Sequence, residues 1–322
     1  VFTNCSVKYD RNDASAGAMY IVGEKTNLVN CNFTNNTAPA NGGALVISGS
    51  DVTITSSNFI NNSAAQSGGA IFLKDNKNSQ INGSYFENNF AGLNGGAIDF
   101  YAGAQEGYVS SCEFVNNTAC AAGGSVYWEG VYGTVEYSNF TGSRALGNAS
   151  GTNSGKGGSI IWIGNHGTLR GCNIDDSQSA KEGAALYVEG DIFKAYYSNF
   201  TNTVSNTSGG IYVQGTDAIV SHCNMENVTA KENGGGLYVK GNYVTVTGSN
   251  IVNANSTKDG SAIYVSGNTT TIENSNITKS KSSGDGTILV AGYKTTIDGC
   301  NVDNNTAKNG GAVKITGSET KI

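Results

Sequence analysis

Apolar and polar positions alternate in a unit that recurs about every 26 residues along the chain. The clearest anchor is a small-residue tripeptide, Gly42-Gly43-Ala44, followed by alternating apolar residues. Aligned on its second position, the copies fall at Gly17, Gly43, Gly69, Gly96, Gly124, Gly158, Ala184, Gly209, Gly235, Ser261, Gly286 and Gly311. Two residues after each anchor stands an apolar side chain, from Met19, Leu45 and Ile71 to Val313, and two further on a second, from Ile21, Ile47 and Leu73 to Ile315. Alternation with period two predicts a strand whose alternate side chains face one side. A Gly often follows, as at Gly49 and Gly215, and predicts a turn.

The second half of each copy is as regular. An apolar residue (Phe2, Leu28, Ile54, Ile81) precedes by three a small one (Cys5, Cys31, Ser57, Ser84), and two further on stands Val7, Phe33, Phe59 or Phe86. This spacing predicts strand, bend and short strand, hence three short strands per copy and no helix-length segment. Such a unit cannot bury its apolar side alone, but a stack of copies buries a continuous core. The simplest geometry is a three-sided parallel coil, about twelve turns of about 26 residues in one continuous domain over 1–322. A β-sandwich would need hairpins and would not hold column identity.

The step from Gly124 to Gly158 is 34 residues. The extra residues predict a protruding loop over 141–157, with Arg144 and Lys156 as candidate contacts that break the repeat. Between the two inward columns of the first strand lies an outward one: Tyr20, Val46, Phe72, Asp99, Tyr127, Ile161, Tyr187, Tyr212, Tyr238, Tyr264, Leu289 and Lys314. Its tyrosines, Tyr127, Tyr187, Tyr212, Tyr238 and Tyr264, form a candidate binding stripe as well as a stabilising ladder. Asn recurs two residues after the Phe column, at Asn35, Asn61, Asn88, Asn116, Asn202, Asn227, Asn253 and Asn304, which predicts an inward ladder of amides at a turn.

Composition narrows the function classes. Gly is 45 of 322 residues, charged residues are 14% and the formal net charge is −6. No basic patch suggests nucleic acid as a partner. No apolar run reaches membrane-spanning length, so membrane attachment would come from an anchor outside the segment. Six of the seven cysteines share the small column with Ser, which suits buried free thiols; disulfides Cys5–Cys31 and Cys112–Cys120 stay open as alternatives. No Cys or His spacing suits a metal, and no cofactor is implied. Of the many Asn-x-Ser/Thr acceptors, Asn148 and Asn268 fall in loops and are the candidates for glycosylation. His166 lies near Asp175-Asp176, but no second acid is placed opposite them for glycoside hydrolysis, and no catalytic residue is assigned.

The alternation of Gly-Gly-Ala-Ile/Leu/Val with Phe-x-x-Asn, as in Gly68-Gly69-Ala70-Ile71 and Phe59-Ile60-Asn61-Asn62, resembles the repeat of chlamydial polymorphic membrane proteins and of adhesin-like surface proteins of methanogenic archaea. The resemblance implies a right-handed parallel β-helix, secretion, and adhesion at a cell surface. The partner would be a glycan or protein of a host or neighbouring cell, or further copies of the chain. A structural stalk or filament is the second expectation, and a β-helix polysaccharide lyase or glycoside hydrolase the alternative. The chain starts and stops inside copies of the repeat, which suggests a slice of a longer rod.

Overall fold

The computed structural model describes residues 1–6, 16–151 and 153–322; the expected core position Val7 lies outside them. The chain winds as a right-handed parallel β-helix, and each strand pairs only with its counterparts one turn before and one turn after. The expected first strand is there, from Met19–Ile21 to Val313–Ile315, in a twelve-stranded sheet. The second sheet has eleven strands, starting at Asn27–Val29, and the third has twelve, including Asn32–Thr34. A fourth sheet of ten two-residue strands, beginning at Thr37–Ala38, was not expected. Its only inward residue is small (Ala38, Ala64, Ala91, Ala119), so it leaves no period-two signal.

One core runs the length of the coil. Leu45, Ile47, Ile54 and Phe59 are fully buried, as are their counterparts turn after turn. The Phe column stacks ring on ring from Phe2 to Phe140, with centroids 4.5–4.9 Å apart. Phe100, Trp128 and Trp162 form a second stack at 3.7 and 4.6 Å. The indoles fit because Gly133 and Gly167 lie against them; a Cβ there would stand 2.3 and 2.2 Å from the Trp128 and Trp162 rings.

The Gly-Gly pair has two separate causes. Gly42 turns the chain with φ +64°, and a Cβ on Gly43 would meet the Gly69 carbonyl oxygen of the next turn at 2.0 Å. Ala184 and Ser261 stand in the second position and escape this clash. The turn after each is one residue shorter, running directly from Gly209-Gly210 into Ile211 and from Gly286-Thr287 into Ile288. Where Gly158 faces the carbonyl of Ala184, Ala184 therefore faces no equivalent group.

Two small-residue columns join the turns. In the first, the side chain accepts the backbone N–H of the turn before: Cys31 donates to Ser57 Oγ at 3.1 Å, Ser57 to Ser84 Oγ at 3.2 Å, Ser84 to Cys112 Sγ at 3.5 Å and Cys112 to Ser138 Oγ at 3.1 Å. Each also donates to the carbonyl two residues back, as Ser57 does to Thr55. Ser and Cys interchange because both are small and can do both. Cys5 is not in this column. Phe2 pairs with Phe33, which places Cys5 beside Asn36, its N–H donating to Asn36 Oδ1. All seven cysteines are free thiols.

The second column corrects the expected Asn ladder by one residue. Asn35, Asn61, Asn88 and Asn116 are exposed and left-handed, with φ of 53–55°. Their successors Asn36, Asn62, Asn89 and Asn117 point inward and are at most 1% exposed. Asn36, Asn62 and Asn89 each donate from backbone N and side-chain Nδ2 to the next Oδ1, at 2.9–3.1 Å. The left-handed residue breaks the alternation and rotates the following side chain into the core. Asn202, Asn227 and Asn253 are likewise outside, bonded to one another along the surface.

Candidate functional site

The outer face of the first sheet carries Val, Phe, Asp, Ile, Leu and Lys as well as Tyr at equivalent positions. The stripe residues lie outside the core, as expected, but most are not open to solvent. Val46, Phe72, Asp99, Tyr127, Ile161, Tyr187, Tyr212 and Leu289 are buried, and only Tyr238, Tyr264 and Lys314 are half-exposed and Tyr20 exposed. Residues leading into the strands (Asn41, Gln66, Asn94) form one wall over part of this face, and residues just after them (Lys74, Tyr101, Glu129) form the other. Tyr127, Ile161, Tyr187 and Tyr212 make a second, smaller apolar cluster on this face. Tyr187, Tyr212, Tyr238 and Tyr264 stack at 5.2, 4.8 and 4.8 Å, so the ladder is real and its open part is Tyr238 and Tyr264.

The long step is not a loop over all of 141–157. Asn139–Thr141 and Arg144–Ala145 stay in their sheets, Leu146 and Gly155 keep the regular bonds to the turn before, and only 147–154 depart. This insertion folds back on the rod: the Asn148 N–H donates to Cys120 O at 3.0 Å. Asn153 and Ser154 thereby come beside Tyr127. Arg144 donates to Gln178 Oε1 at 2.6 Å, away from the stripe. Lys156 does reach it: Nζ lies 4.6 Å over the Tyr187 ring and donates to Tyr187 Oη at 3.1 Å and Asn153 Oδ1 at 3.3 Å. Tyr187 Oη donates on to Gln214 Oε1, which also accepts from Lys240.

At the N-terminal end of this face opens a cavity of about 280 Å³. Its floor is Phe72, Asp99 and Tyr127, its rims carry Gln66 and Asn94 on one side and Lys74, Tyr101 and Glu129 on the other. Tyr101 packs 5.6 Å from Phe72 and is 44% exposed. Asp99 is 1% exposed, and its Oδ1 has no partner among the described residues. Burial holds its carboxyl well above the usual carboxylate range; the charge of Glu129 pushes the same way, and a hydrogen bond with Ser67 opposes them. Glu129 accepts the Tyr127 hydroxyl at 2.9 Å, and burial is the main reason the Tyr127 hydroxyl is also raised, with Glu129 second.

Sequence reasoning missed this cavity, although one signal was there. Asp99 is the one acidic residue in the outward column, set between Ile98 and Phe100. The other singled-out residues stay apart. His166 stacks on Tyr132 at 4.7 Å, whereas Asp175 accepts from Thr201 and Asn202. Asn148 is exposed in the insertion; Asn268 is exposed in a turn, with Oδ1 accepting the Tyr293 N–H. Among the described residues no group of three His, Cys, Asp or Glu could hold a metal ion.

Solved structures share the fold at low identity. The tailspike protein of E. coli bacteriophage HK620, in complex with a pentasaccharide, matches with a TM-score of 0.51 and 13% identity over 92% of this chain and 56% of the tailspike chain. The Dettilon tailspike protein matches with a TM-score of 0.50 and 13% identity, over 90% of this chain and 60% of its own. The A-module of an Azotobacter vinelandii mannuronan C-5 epimerase matches with a TM-score of 0.48 and 10% identity, over 95% and 89%. This chain thus spans little more than half of either tailspike. No curated protein matches the sequence. The family described as right-handed beta helix region matches residues 1–130 and 194–322, and the chain belongs to that family.

Proposed function

We propose that this chain is a glycan-binding module of an adhesin-like protein displayed outside the cell, with its site in the groove over the first sheet. The observation that carries this reading is the cavity at Asp99. Aromatic rings (Phe72, Tyr101, Tyr127) and amide, hydroxyl and carboxyl groups converge there. Aromatic faces packing on C–H surfaces beside a few fixed polar groups are what a sugar needs. A smaller cavity lined by Tyr127, Asn94, Ser150 and Asn153 adjoins the one at Asp99, and the two together suit a chain-like ligand. The fold is shared with a tailspike solved with a pentasaccharide, and this supports the reading by analogy of fold alone.

A glycan array tests it. The wild type should retain a subset of glycans, Tyr101→Ala should lose them, and Tyr243→Ala, an exposed turn tyrosine outside the groove, should not. Binding unchanged in Tyr101→Ala, or no binding to any glycan, overturns the reading. New reducing or unsaturated ends in the bound glycans would move the protein to the carbohydrate-active enzymes.

A further inference from the structure

The buried carboxyl at the cavity floor has consequences for which sugar fits. Asp99 is held in place by its strand, Ile98–Phe100, whose flanking side chains are both fully in the core. One oxygen engages Ser67; Oδ1 has no hydrogen-bond partner among the described residues. An unpaired polar atom at 1% exposure is costly, and a cavity beside it is where its partner would arrive. The volume, about 280 Å³, is at the lower limit of ligand sites and suits a single ring.

The charges around it nearly cancel. Lys74 and Glu129 sit on the same rim with opposite sign, and burial drives Asp99 toward its uncharged acid. An uncharged carboxyl both donates and accepts, as a sugar hydroxyl does. A uronate would bring a second carboxylate against Asp99 and Glu129. An ammonium group pairs best with an ionised carboxylate, the form that burial disfavours at Asp99, and would meet Lys74 at the rim.

We propose that the cavity at Asp99 is a subsite for one uncharged hexose residue of the glycan, and that Asp99 selects it over acidic and amino sugars. This rests on the glycan-binding reading of the groove.

The test is a titration at pH 7 of the whole chain with neutral hexasaccharides (glucan, mannan and galactan), hexagalacturonate and a fully deacetylated chitosan hexamer. At least one neutral probe should bind, and neither charged probe should bind as well. Asp99→Asn keeps a donor and an acceptor without charge and should hold affinity within about threefold; Asp99→Leu should lose at least about tenfold, since each polar group left unpaired costs a sizeable share of binding. Should Asp99→Leu fail to fold, the probe preference and Asp99→Asn still decide. Preference for either charged probe, abolished by Tyr101→Ala, overturns the neutral-sugar subsite and leaves the glycan groove standing. Loss of binding in a folded Asp99→Asn overturns it too, because Asp99 would then act through its charge. Binding of no probe, here or on the array, overturns both.

Discussion

Trp128 and Trp162 lie face to face on adjacent turns, their ring centroids 4.6 Å apart and their planes within 6°. Both are at most 1% exposed, and the Trp162 indole N–H has no partner among the described residues. Packing of the ring, not its polar handle, is what the core uses. Trp162→Ala should therefore cost about 3–5 kcal/mol. Trp162→Phe should cost less than about 2 kcal/mol, because Phe100 fills the same column two turns earlier. Tyr238→Ala, half-exposed on the ladder outside, should cost clearly less than Trp162→Ala. Urea midpoints of the three variants check the order, and equal midpoints for Trp162→Ala and Tyr238→Ala would refute it.

Neighbouring asparagines make the sharpest internal comparison. Asn89 Oδ1 accepts both the backbone N–H and the Nδ2 of Asn62, and its own Nδ2 donates to Phe59 O and Asn117 Oδ1. Asn89→Ala strands two buried donors on Asn62, at about 1–3 kcal/mol each. Asn88, one residue earlier, is exposed at φ 53°. Asn88→Ala should cost only about 1 kcal/mol, and Asn88→Gly almost nothing. Denaturant unfolding of the pair decides; a larger loss at Asn88 than at Asn89 would reverse the inside and outside of this turn.

Those two residues also show where a sequence can be read and where it cannot. The Phe, Ile/Val/Leu and Cys/Ser columns were legible because alternation within a strand fixes which side chain faces in. Alternation says nothing across a left-handed residue, so the inward amide was placed on Asn88 instead of Asn89. Phe2 and Cys5 were shifted by one column because the spacing of Leu28 to Cys31 recurs from Phe33 to Asn36, with which they align. The fourth sheet was invisible because Ala91 and its counterparts bury too little to stand out. At the site, the tyrosine column was legible, but its burial depends on chain segments that rise over the sheet, and nothing local in Tyr187 or Asp99 announces them.

Asp99 makes stability depend on pH. Its folded carboxyl is raised well above the ordinary value of 3.8, chiefly by burial and next by Glu129. The unfolded chain releases this proton first as pH rises, so it binds fewer protons than the folded chain. Asp99's contribution is then full below about pH 4, falls as pH rises above that, and levels off past its folded value. Lys74, Glu129, Tyr101 and Tyr127 line the cavity with it. Asp99→Asn should remove this slope, so the gap between variant and wild type should shift in favour of the variant between pH 4 and pH 8. Parallel stability profiles would mean that Asp99 is ionised alike in both states.

Thiol chemistry should divide the cysteines by depth. Burial pushes Cys112 and Cys172 up to about 12 and Cys223 up to about 11, and all three are at most 2% exposed. At pH 8 they should resist iodoacetamide, while half-exposed Cys120, although raised by partial burial, reacts. After unfolding without reductant, all seven should alkylate. Mass spectrometry of peptides containing Cys112 and Cys120 reads both outcomes; a Cys112–Cys120 crosslink would contradict the free thiols.

Pairing of each strand with the next turn alone has a mechanical consequence. Among the described residues no backbone bond, ring stack or side-chain ladder ties one turn to the turn after next; those that join turns step by a single turn. Tension applied to a terminal turn meets only that turn's bonds, so the rod should unwind in series, like thread from a spool. Each event should release one turn's contour, ~90 Å for 26 residues at about 3.4 Å each. The winding that carries the insertion at 147–154 should appear in the force trace as one longer step.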